Sequence, residues 1–214
     1  MKLNIIKQYA YQTLKADTSG HDFYHVQRVA HLAQNLWNKD HQPTTNDTLI
    51  AASYLHDTID EKIVTSSPQA LKRVTKLLQT AECAPSEQEQ VLTTITHMSF
   101  ADNLAYHYQL PLIGQYVQDA DRLDALGAIG IARAFAYGGK QNQPLYDPKI
   151  KPRQLTSHSQ YRQHPTTTIN HFYEKLFQLQ DTMNTPAGYH LAQQRTIFMQ
   201  EFLAKFMQEW QGQI

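Results

Sequence analysis

Gly20-His21-Asp22-Phe23-Tyr24-His25-Val26-Gln27-Arg28-Val29-Ala30-His31-Leu32-Ala33-Gln34-Asn35-Leu36-Trp37 is the stretch that decides how the rest of the chain reads. Val26, Val29, Ala30, Ala33, Leu36 and Trp37 recur at the three-and-four spacing that gathers apolar side chains on one face of an α-helix. The start of the stretch is different in kind. Histidine, aspartate and arginine stand there among apolar positions, and a buried charge is costly unless something pairs with it.

The same helical period runs outward in both directions. Leu3, Ile6, Tyr9, Ala10 and Leu14 predict a helix before it. Leu49, Ala52, Leu55, His56 and Ile59 predict one after it, with Asn46 or Asp47 as its N-cap. Ser67-Pro68 starts a fourth, because proline suits the first helical turn, and Ala70, Val74, Leu77 and Leu78 line its apolar side. Pro85-Ser86 opens a fifth through Val91, Leu92, Ile95 and Met98. Pro111 begins a sixth with Ile113, Val117, Ala120 and Leu123, and Gly127 separates it from a seventh over 128–137.

The period then stops. Residues 138–165 carry Gly138-Gly139 and Pro144, Pro148, Pro152 and Pro165, which predicts a long irregular loop. Helical spacing returns over 166–182 and again over 187–210, where the Phe and Trp side chains of 198–210 are expected to pack in the core. No strand alternation or internal repeat competes. The expectation is one all-α domain over 1–214: a helical bundle, a loop at 138–165 and two C-terminal helices within 166–214.

Composition agrees with helices. Glycine is scarce, at 8 of 214 residues, and the 25 glutamines are good helix formers. A 24.6 kDa chain buries a core without disulfides or a structural metal. Lysine plus arginine and aspartate plus glutamate both count 19, which argues against a general nucleic-acid binder or a polybasic membrane binder. No apolar run is long enough to cross a membrane. The single Cys83 and the absence of a secretory leader predict a reducing, cytoplasmic setting.

Four segments concentrate the chemistry: Gly20–Val29, Leu55–Lys62, Ile95–Phe100 and Gln118–Gly127. Each sets His, Asp or Arg inside an apolar helix, and a cation would offset the burial cost of a residue such as Asp121. Imidazoles and carboxylates without thiolates suit an ion with open coordination positions, which favours Mn, Fe, Co or Mg over structural zinc. Such an ion polarises a phosphoryl oxygen and lowers the pKa of water. His56 and Asp57 are adjacent and diverge by about 100° on a helix, so both reach one ion only near a helix end or with suitable rotamers.

These segments resemble the HD superfamily of metal-dependent phosphohydrolases, and within it a bacterial subgroup of small stand-alone hydrolases. The resemblance lies in GHDFYHVQRV at 20–29, LHDTIDEK at 55–62, DADRLDALGAIGIARAF at 119–135 and HFYEKL at 171–176. It implies one divalent ion held by His25, His56, Asp57 and Asp121. It also implies attack by metal-bound water on a nucleotide or other small phosphate ester. The alternatives are a phosphodiesterase, a ppGpp-type pyrophosphohydrolase or a non-catalytic metal-dependent nucleotide sensor.

The acidic pair Asp60-Glu61 stands where ppGpp hydrolases carry Glu then Asp. Asp60 is four residues from His56 and three from Asp57, which on a helix would place it on their face and make it the candidate base, with Glu61 the alternative. Arg28, three residues from His25, shares the site face, and its guanidinium suits phosphate oxygens. His21 and His97 are expected either to support the metal ligands or to contact phosphate, and Arg122 is expected near phosphate. Lys140, Lys149, Lys151, Arg153 and Arg162 oppose only Asp147 in the 138–165 loop. The loop therefore reads as a flap, with Gly138-Gly139 as hinge, Leu145, Tyr146 and Tyr161 pinning it or stacking on a base, and Lys149, Lys151 and Arg153 serving the substrate. The sequence leaves a homodimer open.

Overall fold

The computed structural model describes residues 1–17, 20–41, 44–99, 108–153 and 166–213. Two compact units divide the chain, Met1–Asp121 and Arg122–Ile214. Among the described residues every regular element is helical.

The first unit contains α1 (Leu3–Leu14), α2 (Phe23–Asp40), α3 (Asp47–Leu55), a 3-10 turn (His56–Ile59), α4 (Ser67–Thr80) and α5 (Pro85–His97). It ends within α6 (Leu112–Asp124). The helix starts follow the capping chemistry of the sequence. Asp22 accepts from the His25 N–H, Asn46 from the Leu49 N–H and Ser66 from the Gln69 N–H, each satisfying a first-turn donor. α3 sits at the centre: Thr48, Leu49, Ala51, Ala52, Ser53, Tyr54 and Leu55 are all buried, so it is covered on every side, as a helix apolar all round must be. α1, α2 and α5 pack against it. Ile6, Leu14, Val26, Val29, Leu36, Leu55 and Leu78 form the core, each contributing about 1.5–3 kcal/mol by leaving water. Tyr116 ties α6 to the end of α2, its hydroxyl donating to Asp40 Oδ2 at 3.0 Å while its ring meets Trp37 edge-on.

The second unit holds α7 (Gly127–Lys140), α8 (Thr168–Glu174), two 3-10 turns (Leu176–Gln178 and Gln180–Thr182) and α9 (Pro186–Trp210). α9 packs along α7, and Phe135, Phe172, Phe202 and Phe206 cluster where these helices meet α8. Gly127 starts α7 at φ +73°, a conformation that favours glycine.

Three expectations need correction here. The helical stretch expected over 166–182 is the seven-residue α8 followed by 3-10 turns, because Lys175 leaves helical geometry at φ −138°, ψ −56°. Gly138-Gly139 is no hinge. Both residues lie inside α7, and Gly138 is buried where a Cβ would stand 2.1 Å from Thr168 Oγ1, so its small size lets α7 approach α8. The 198–210 aromatic stripe is only partly core. Ala192, Thr196, Met199 and Leu203 form the buried face of α9, whereas Phe198 and Trp210 are 47% and 49% exposed.

The described part of the expected loop, through residue 153, is fastened to the second unit. Thr168 and Ile169 donate backbone N–H groups to the Pro144 and Leu145 carbonyls, and Asn170 Nδ2 donates to the Ile150 carbonyl. Tyr146 packs edge-on against Trp210. Tyr161 and Arg162 lie outside the described residues.

Candidate metal centre

α3 would carry His56 and Asp57 in divergent directions if it continued. It ends at Leu55 instead, and the chain tightens into the 3-10 turn. Thr58 Oγ1 donates to the Leu55 carbonyl at 2.7 Å, tying the turn to the end of α3. His56 Nδ1–H donates to the Ser53 carbonyl at 2.8 Å, which leaves Nε2 with its lone pair facing inward. His25 arrives from the first turn of α2, fixed there by the Asp22 cap and fully buried. Asp121 arrives from α6.

The donor atoms converge. His25 Nε2 and His56 Nε2 are 3.3 Å apart. Asp121 Oδ1 lies 3.3 Å from His25 Nε2 and 3.7 Å from His56 Nε2. Asp57 Oδ1 is 3.4 Å from His56 Nε2, and its Oδ2 is 3.4 Å from His25 Nε2. Two donors about 2.1 Å from a common ion and about 90–110° apart are separated by roughly 3.0–3.4 Å. Most of these separations fit pairs of ligands on one divalent ion; His25, His56 and Asp121 form one cluster able to hold a metal, and His21, His25 and Asp57 form another that shares His25.

Electrostatics agree with the geometry. Burial pushes the Asp57 carboxyl up, but the charge of His56, the His21 hydrogen bond and the charges of His21 and His25 outweigh it and hold Asp57 well below the usual carboxylate range. For Asp121, removal from water raises the pKa, while the hydrogen bond from His25 and the charges of His56 and His25 bring it down to about 2. Both carboxylates are anionic at neutral pH, as ligands of a cation must be.

The other sequence candidates fall in different places. His21 joins the cluster directly, its Nδ1 lying 2.9 Å from Asp57 Oδ2. Arg28 is half-buried on α2, one turn from His25. Asp60 corrects the shared-face argument: it leaves the 3-10 turn in extended geometry (φ −65°, ψ 135°), and its Oδ1 accepts from the Lys62 N–H at 2.7 Å. Glu61 beside it is exposed.

His97 ends α5, with Nδ1 3.0 Å from the Thr93 carbonyl and its ring against Tyr108. Arg122, Lys149, Lys151 and Arg153 lie in the second unit. There Arg122 Nη1 donates to the Thr182 carbonyl, and Lys149 and Lys151 are exposed. Arg153 is clamped to the buried Glu174 through Nε and Nη2, both at 2.9 Å, so it anchors its segment to α8. Sequence reasoning missed the roles of Asp22 and Ser53. Asp22 had a signal, an aspartate just before an apolar period. Ser53 had none, since it acts through its carbonyl.

Residues 22–126 match the HD domain family. YpgQ of Bacillus subtilis is 34% identical over 210 residues, covering 97% of this chain and 93% of its own. Its crystal structure in complex with ADP superposes at TM-score 0.76, with 30% identity over 97% of this chain and 94% of that one. A structure from Lactobacillus plantarum is 42% identical at TM-score 0.85, covering 99% and 97% of the two chains. An HD-superfamily hydrolase from Bacillus thuringiensis is 37% identical at TM-score 0.77, covering 99% and 98%. The chain belongs to the HD superfamily, and its two-histidine, two-aspartate cluster lies within the matched domain.

Proposed function

We propose that this chain is a metal-dependent phosphohydrolase acting on a nucleotide or other small phosphate ester. The observation that supports the reading most is the set of close contacts linking His25, His56, Asp57 and Asp121, with both carboxylates held anionic. The similarity to YpgQ, crystallised with ADP, supports a nucleotide as the substrate class.

When bound, a divalent ion polarises a phosphoryl oxygen and lowers the pKa of a nearby water. The chain's own residues do the rest. His25, His56, Asp57 and Asp121 hold the ion, and the Ser53 carbonyl keeps His56 Nε2 aimed at it. Asp121 is the most open of the four, with 36% of its side chain exposed, so substrate approaches on its side. Asp60 or Glu61, at the exit of the turn, takes the proton of the attacking water. Arg28 offsets charge on the phosphoryl group, and His97 contacts it.

The experiment is hydrolysis by the full chain of a panel of nucleoside mono-, di- and triphosphates, a cyclic nucleotide, ppGpp and an aryl phosphate, with Mn, Co or Mg added. Metal-dependent release of phosphate or pyrophosphate from a nucleotide supports the reading. Turnover confined to the cyclic nucleotide or to ppGpp reassigns the substrate. Stoichiometric nucleotide binding without turnover makes the protein a sensor.

A further inference from the structure

His21 touches the cluster but lies outside the ligand set. Its ring Nδ1 stands 2.9 Å from Asp57 Oδ2, closer than any other polar contact of that carboxylate. The main chain that carries it is fastened at both sides. The His21 N–H donates to Asp17 Oδ2 at 2.9 Å, and the next residue, Asp22, caps α2. Gly20, at φ +97°, supplies the left-handed turn that brings the segment in. The His21 ring lies edge-on to the His25 ring at 5.9 Å between centroids.

The two oxygens of Asp57 have different nearest partners. Oδ1 faces His56 Nε2 at 3.4 Å, and Oδ2 meets His21 Nδ1 at 2.9 Å, with His25 Nε2 farther from it at 3.4 Å. A carboxylate oxygen accepts, so the 2.9 Å contact places the donated hydrogen on His21 Nδ1. His56 is arranged the opposite way, with its Nδ1–H given to Ser53 and its Nε2 lone pair turned to the centre. Carboxylates that ligate metals are commonly hydrogen-bonded by a neighbour that fixes which oxygen reaches the ion, and loss of that neighbour costs about 10–100-fold in affinity or activity.

We propose that His21 is a positioning residue. Its Nδ1–H holds Asp57 Oδ2 and so reserves Oδ1 for a divalent ion. The inference rests on the metal-centre reading above. Of the two roles the sequence leaves open for His21, it selects support of a named ligand oxygen over contact with phosphate. It also stands apart from ligation, although His21, His25 and Asp57 are close enough together to hold an ion themselves.

The test is calorimetric titration of the metal-stripped full chain with Mn2+ alone, in the wild type, His21→Phe and His21→Asn. Phe keeps a ring against His25 and removes the donor. Asn returns an amide N–H close to the place of Nδ1. Thermal unfolding of each metal-free variant reports whether it is folded.

The expected result is one Mn2+ per chain in all three, bound about 10–100-fold more weakly by His21→Phe and recovered largely by His21→Asn. Equal affinity in wild type and His21→Phe overturns the proposal, as does an Asn variant as weak as the Phe variant. Two ions in the wild type and one in His21→Phe would make His21 a ligand and also overturn it. A wild type that binds no Mn2+ refutes the metal centre itself, which separates that failure from a failure of His21's role. If His21→Phe does not fold, His21→Asn against His21→Leu decides: the first restores a donor, the second has none and must bind more weakly.

Discussion

Asp57 shows how one side chain can be affordable only in company. Its carboxylate is 8% exposed and touches His21, His25 and His56. An isolated ion at that depth would neutralise or unfold its surroundings. Asp57→Ala therefore removes a ligand and leaves imidazoles facing one another, and loss of both metal content and turnover is expected; full retention of either contradicts the ligand assignment. Asp60 and Glu61 call for a different comparison. Asp60→Asn and Glu61→Gln keep size and remove a base. The one that orients the water should keep its metal and lose about 10²-fold or more in turnover, measured at saturating Mn. Unchanged rates in both variants would make the pair structural.

At the scale of elements, the sequence carried most of the helix starts because their causes are local. Ser66, Asn46 and the prolines at 68 and 85 act on the turn in which they sit. What was hidden depends on packing. The apolar period runs from Leu49 through Ile59 without a break, yet α3 stops at Leu55, and the tightened turn is what lets His56 and Asp57 converge. The site residues were legible as types and order. The extended geometry of Asp60 and the commitment of Arg153 to Glu174 were not, since each depends on a partner remote from any motif.

Gly138-Gly139 reads as a breaker only until α8 is in place beside it. The close approach of Gly138 to Thr168 is testable by thermal unfolding. Gly138→Ala should destabilise by about 1–3 kcal/mol through overpacking, and Thr168→Ala in the same chain should relieve much of that cost. Additive losses would show that the two positions do not share space.

At the scale of the whole molecule, the balanced charge leaves pH sensitivity to particular buried groups. In the second unit, burial, with Lys175 adding to it against the opposing pull of Glu174, pushes His171 down to about 3. An unfolded chain protonates that ring near pH 6.5, whereas the folded one holds it neutral. The unfolded state thus binds more protons between about pH 6.5 and 3, so the contribution is full above that window and drains away as pH falls through it. The Tm difference between wild type and His171→Gln should therefore narrow by about a few degrees from pH 7.5 to pH 5. An unchanged difference would mean that His171 is not the group responsible.

No helix among the described residues is long and apolar enough to cross a membrane, and the decisive measurement is made on the full chain. That measurement is the metal content of the chain after equilibrium dialysis against Mn2+, wild type beside Asp121→Ala. Asp121 is the least buried ligand, so its removal spares the core. One ion per chain in the wild type and near-complete loss in the variant is the predicted result. A wild type without metal, or an Asp121→Ala chain that keeps a full equivalent, would contradict a centre built from His25, His56, Asp57 and Asp121.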